Sequence, residues 1–142
     1  NSTAASSTVF SVGDYTAVNN SGSTFVAYCF APIAGYSAFG SYTGNGSTDG
    51  PFIYCGFRPA YVMMKSTSAS DWYVFDVARN PYNVTEAVLY ANDSAAEGTF
   101  STRYFDILSN GFKMRTTASP NASANYIFMA FASAPFKYSL AR

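Results

Sequence analysis

The chain has 142 residues, 49% of them apolar and 11% charged. That supports one domain with a sizeable core and excludes a disordered tail, although charged residues reach about 25% in ordinary soluble domains. Eight basic side chains balance eight acidic ones and histidine is absent, which excludes a basic nucleic-acid face, His-dependent triads, His-ligated zinc and a histidine general base.

Residues 1–7 are small and polar and read as a linker. Asn1-Ser2-Thr3 lacks the basic and apolar stretches of a signal peptide, and a chain opening on Asn reads as a piece of a longer polypeptide. No run of about eighteen apolar residues occurs, so no membrane insertion is expected. Short β-rich runs follow. Strands are expected over 8–12, 23–31, 36–43, 51–55, 60–66, 71–77, 87–91, 102–107, 111–116 and 124–132. Turn signals separate them at Asn45-Gly46, Asp49-Gly50-Pro51, Asn80-Pro81 and Asn110-Gly111.

Asn110-Gly111 is the strongest hairpin signal, because both residues tolerate positive φ. After it, Phe112-Lys113-Met114-Arg115 alternates apolar and charged, as a half-exposed strand does. Segments 25–31 and 126–132 are apolar almost throughout, as in strands buried on both faces. Only Asp93-Ser94-Ala95-Ala96-Glu97 suggests a capped helical turn. This spacing predicts an all-β domain, an antiparallel β-sandwich or jelly roll. A β-helix would show a short repeat of equal rungs, and none is seen.

A longer echo exists. Residues 20–31 align with 121–132 at a constant offset of 101, matching Phe25-Val26-Ala27-Tyr28-Cys29-Phe30-Ala31 to Tyr126-Ile127-Phe128-Met129-Ala130-Phe131-Ala132. It predicts tandem repeats: residues 1–34 as a linker plus the final strands of a preceding repeat, and 35–142 as the C-terminal sandwich repeat. Two orphan strands cannot bury their own faces, so 8–31 is expected to join the following unit or a neighbouring subunit. Cys29 and Cys55 read either as two thiols acting as small hydrophobes or as one bridge.

The stretch Gly35-Tyr36-Ser37-Ala38-Phe39-Gly40 through Gly44-Asn45-Gly46-Ser47-Thr48-Asp49-Gly50-Pro51-Phe52 to Phe57-Arg58-Pro59-Ala60-Tyr61-Val62-Met63-Met64-Lys65 is distinctive. With Asp76-Val77-Ala78-Arg79-Asn80, Asp106-Ile107-Leu108-Ser109-Asn110-Gly111-Phe112-Lys113 and the ending Pro135-Phe136-Lys137-Tyr138 to Arg142, it resembles a domain of unknown function near the C-terminus of tail and other virion proteins of environmental, especially marine, bacteriophages. The resemblance covers about 36–142, with 8–31 similar to the end of a preceding repeat. It implies a virion structural protein with lectin-like β-sandwich repeats, Arg142 as a natural C-terminus, and no catalytic residues.

Candidate sites follow from residue type. Asp71-Trp72-Tyr73 follows a polar turn, and an aromatic beside a loop can stack on a pyranose; Tyr82 and Asn83 join these as candidate glycan contacts. The ordinary alternative packs Trp72 and Val74 on one face and Tyr73 and Phe75 on the other. Asn45 and Asp49 offer oxygens for calcium, but one carboxylate falls short of the usual set, so turn chemistry is expected and no metal or other cofactor. Arg58 and Arg79 are expected to form ion pairs, with Asp76 and Asp106 as partners. Glu86 and Glu97, near Asp93, are weak grounds for a glycosidase pair.

The expected function is a non-enzymatic bacteriophage virion protein, in the C-terminal part of a tail fibre or tail-associated protein, serving assembly and attachment to a host-surface glycan. Its expected partners are copies of itself, as a trimer or filament, other virion proteins and that glycan, with no nucleic acid. The alternative is a purely architectural subunit, a capsid decoration or a filament-forming protein.

Overall fold

The structure is a computed structural model and describes residues 6–133. Residues 1–5 of the expected linker and the ending 134–142 lie outside the described residues. The chain divides into two compact units, Asn1–Phe30 and Ala31–Arg142.

The smaller unit contains one helical turn, α1 (Thr16–Asn19), in which Val18 and Asn19 amides donate to the Tyr15 carbonyl. The strands expected at 8–12 and 23–31 do not form. A strand is stable only when its amides and carbonyls find a neighbouring strand. Among the described residues neither segment has one. Their apolar side chains are exposed instead: Val9, Phe10, Tyr15, Phe25, Val26 and Tyr28 are 48–83% accessible. Cys29 is exposed and Cys55 half-buried, and no disulfide joins them.

The larger unit is a β structure. Its described strands are β1 (Ser37–Thr43), β2 (Phe52–Tyr54), β3 (Pro59–Ser66), β4 (Tyr73–Asp76), β5 (Ala87–Tyr90), β6 (Gly98–Thr99), β7 (Phe105–Leu108), β8 (Gly111–Met114) and β9 (Asn125–Ala132). They form a six-stranded sheet of order β1-β9-β3-β4-β5-β6 and a three-stranded sheet of order β2-β8-β7, antiparallel throughout. The architecture is compatible with a β-sandwich. An antiparallel bridge between Thr85 and Phe105 ties the lead-in to β5 onto β7, and so links the sheets.

Period-two alternation decides what is buried. Phe105, Ile107, Phe112 and Met114 point inward from the short sheet; Tyr42, Val62, Met64, Tyr73, Phe75, Val88, Tyr126 and Ala130 point inward from the long one. Their rings meet edge-on across the core. Phe75 lies 4.9 Å from Phe105, and Phe112 lies 5.5 Å from Phe128 and 6.3 Å from Tyr42. Edge-to-face pairs add roughly 0.5–1.5 kcal/mol each beyond burial.

Three details depart from the sequence reading. Strand β9 is buried on one face only, since Ile127 is 42% exposed; its outer Phe131 packs among Tyr36, Phe39 and Tyr61 at 5.8–6.0 Å. The β7–β8 turn falls on Ser109-Asn110, with Gly111 paired to Leu108, and neither Asn110 nor Gly111 has positive φ. Gly111 is needed for close approach instead: a Cβ there would collide with the Ile53 carbonyl of β2. Asp93 caps no helix. Its carboxylate accepts from the Ala95 amide within an irregular loop.

Asn121 is fully buried between the 44–50 loop and the chain following β8. Its Nδ2 donates to Asn45 Oδ1, the Ser47 carbonyl and the Thr116 carbonyl at 2.7–3.1 Å, and its Oδ1 accepts from the Asn45 amide. Gly50 permits the contact, since a Cβ there would sit 2.7 Å from Asn121 Nδ2 and from Met114.

Two substitutions test this account. Asn121→Ala leaves the buried Thr116 carbonyl without its donor and removes the half-buried bonds to Ser47 and Asn45, and is expected to cost about 3 kcal/mol in urea unfolding. Thr85→Val is expected to stabilise by about 1 kcal/mol in the same assay, because Thr85 Oγ1 is buried and, among the described residues, lacks a hydrogen-bond partner.

Candidate functional site

The sequence-derived glycan residues are spread over two ends of the fold. Asp71 and Trp72 lie in the turn before β4, tied to Asn92: the Trp72 amide donates to Asn92 Oδ1 (2.7 Å), and Asn92 Nδ2 donates to Asp71 Oδ1 (3.1 Å). Lys65 Nζ sits 5.9 Å from the Trp72 ring. Tyr73, the next residue, is 4% exposed and packs in the core beside Tyr90 and the Arg103 guanidinium. Tyr82 and Asn83 come after the other end of β4, at Asp76. Tyr82 is 83% exposed. Asn83 copies a strand pairing, its Nδ2 donating to the Ile107 carbonyl and its Oδ1 accepting from the Ile107 amide, both at 2.9 Å. Of the five, Tyr73 is taken up by the core and Asn83 by the backbone of β7, while Tyr82 stays exposed.

The polar clusters resolve into local structure. Asn45 Nδ2 donates to the Asp49 carbonyl, and Asn45 Oδ1 accepts from the Ser47 amide. Among the described residues no group of three His, Cys, Asp or Glu side chains could hold a metal. Arg79 bridges Asp76 at 2.6 Å and Glu97 at 3.0 Å. Asp106 pairs with Arg115 rather than with Arg58.

A cleft of about 470 Å³ opens on the outer face of the short sheet, lined by Thr48, Asp49, Val84, Tyr104, Asp106 and Arg115. Each residue is there for a structural reason. Phe105 and Ile107 face the core, so Asp106 between them faces out; Phe112 and Met114 face in, so Lys113 and Arg115 face out. Register sets Asp106 opposite Lys113 and sets Phe52 of β2 on the other side of Lys113. The Asn121 clamp folds the 44–50 loop over this face, which delivers Thr48 and Asp49. Two ion pairs result: Asp49 to Lys113 at 2.6 Å and Asp106 to Arg115 at 3.3 Å. The hydrogen bond and charge of Lys113, with Arg115 adding, hold the exposed Asp49 carboxyl below its usual range.

Sequence reading had the alternation of 112–115 but not this cleft. The usable signal was the hairpin register, which places Asp106 beside the two cations. Burial raises the Cys55 thiol to about 11, so this thiol is not a nucleophile at neutral pH.

Ion pairing also sets a pH response. Burial pushes the Asp76 carboxyl up, but the Arg79 hydrogen bonds and charge outweigh it and the net shift is downward. A depressed folded pKa gives stability that is complete above the ordinary carboxylate value of about 3.9 and lost as pH falls through the folded value. Wild-type urea midpoints are thus expected to fall more steeply than those of Asp76→Asn between neutral pH and pH ~2.5. Parallel curves would mean the pair contributes nothing.

Among the described residues no helix is long and apolar enough to cross a membrane. No curated protein and no solved structure matches the chain. The profile of one family, described as a domain of unknown function (DUF7483), matches residues 1–135, a span that runs through both compact units. On that extent of match the chain belongs to this family.

Proposed function

We propose that the chain is a non-enzymatic structural protein of a bacteriophage particle. It forms the C-terminal part of a tail fibre or tail-associated protein, self-associates with its own copies and other virion proteins, and attaches the particle to a host-surface glycan. The observation that carries this reading is the exposure of Val9, Phe10, Tyr15, Val26 and Tyr28, each at least 55% accessible. Of the exposed side chains in this unit, Phe10, Val12, Val18, Phe25 and Val26 line one groove, and contiguous apolar surface marks a place that another molecule covers. Low charge points the same way, because a chain with 11% charged residues has little else to keep it apart from its copies. The resemblance to phage virion domains supplies the setting. Balanced charge argues against nucleic acid as partner.

A purely architectural role, as a capsid decoration or filament subunit, is the second reading. It is favoured by the same exposed side chains, since copies of the chain can cover one another's apolar surface without any host ligand.

Light scattering with negative-stain imaging of the full chain tests both. A closed oligomer, a trimer above all, fits a fibre, and filaments fit the architectural role. Val26→Asp with Tyr28→Ser is expected to shift the particle to monomer without loss of β signal in circular dichroism. A wild-type monomer at high concentration would overturn both readings.

A further inference from the structure

We infer that the cleft over β7 and β8 is a saccharide site, and that it takes a neutral pyranose rather than an anionic one. This deepens the attachment half of the proposed function and rests on it.

Four observations carry the inference. First, a cleft of about 470 Å³ lies within the range of small-molecule sites, roughly 300–1,000 Å³. Second, part of its polar lining has hydrogen-bonding capacity to spare. Among the described residues the Thr48 hydroxyl, the Tyr104 hydroxyl and the Asp106 carboxylate make no hydrogen bond. Arg115 meets Asp106 as an ion pair at 3.3 Å without hydrogen-bond geometry. Third, the charges cancel locally, with Asp49 against Lys113 and Asp106 against Arg115. A site with no net charge offers an ion little, whereas carboxylate acceptors beside guanidinium donors suit vicinal hydroxyls through charge-assisted hydrogen bonds. Fourth, the Tyr104 ring and the 39% exposed Val84 supply an apolar patch for the C–H face of a sugar.

Shallow sites of this kind bind weakly one at a time. Attachment would come from several copies engaging one surface, so the assembly and the cleft would act together.

The test uses the full chain and multivalent polyacrylamide conjugates of glucose, galactose, mannose and N-acetylglucosamine. Conjugates of sialic acid and glucuronic acid serve as anionic comparators. Retention of at least one neutral conjugate above both anionic ones is expected. Asp106→Asn and Arg115→Gln, both outward-facing, are expected to weaken it about tenfold each, the loss of one charge-assisted hydrogen bond. Tyr104→Ala is expected to weaken it as well, and Trp72→Ala to leave it unchanged. Unaltered melting temperatures establish that the variants fold. Preference for the anionic conjugates would overturn the inference. So would binding that survives the three cleft variants, or that is lost with Trp72→Ala alone; attachment would then stand on another surface. Failure of every conjugate to bind would overturn the attachment reading together with the cleft.

Discussion

The ring of Phe112 has to fit between two sheets, and most of the larger unit follows from that. It is fully buried and meets Phe105 at 5.4 Å, Phe128 at 5.5 Å and Tyr42 at 6.3 Å. Removing such a ring from a core costs about 3–5 kcal/mol. Once Phe112 points inward, the pleat leaves no freedom for its neighbours: Lys113 must point out, Met114 in and Arg115 out. Pairing with β7 then fixes Asp106 against the cations. The charged outer face is thus the other side of the core constraint. A one-residue slip would bury Lys113 and expose Phe112, and so destroy both at once.

Charge is scarce in this chain and is used at short range. The ion pairs Asp76–Arg79, Glu97–Arg79, Asp49–Lys113 and Asp106–Arg115 engage seven of its sixteen charged residues. Such pairs cancel one another's field beyond a few ångströms. With a net charge of zero, long-range steering contributes little to any encounter.

The sandwich was legible where local pattern and tertiary context agree. Turns rich in Gly, Asn and Asp bracket β1, β2, β3 and β8, and alternation marks their buried faces. Strand β6, only Gly98-Thr99, has no pattern to read. Asn110-Gly111 predicts the β7–β8 turn one residue late, because Gly111 is a strand residue whose missing Cβ admits the Ile53 carbonyl. The candidate site was less legible for a clear reason. Trp72, Tyr73, Tyr82 and Asn83 stand out by residue type alone, which does not say that Tyr73 faces the core and that Asn83 bonds the Ile107 backbone. The cleft instead depends on strand register and on Asn121 holding Asn45, 76 residues away in the chain. Neither appears in a local window.

Segments 24–31 and 125–132 show how far context decides. Both are aromatic-rich, with strong β propensity and an aligned order of residues. The second is β9, paired on one side with β1 and on the other with β3, with Tyr126 and Ala130 buried. The first is exposed at Phe25, Val26 and Tyr28 and forms no strand. Propensity is equal, so what separates them is the presence of neighbours to accept the backbone bonds and cover the side chains. The same kind of sequence is thus a strand in one place and irregular chain in the other, and local composition alone does not tell the two apart.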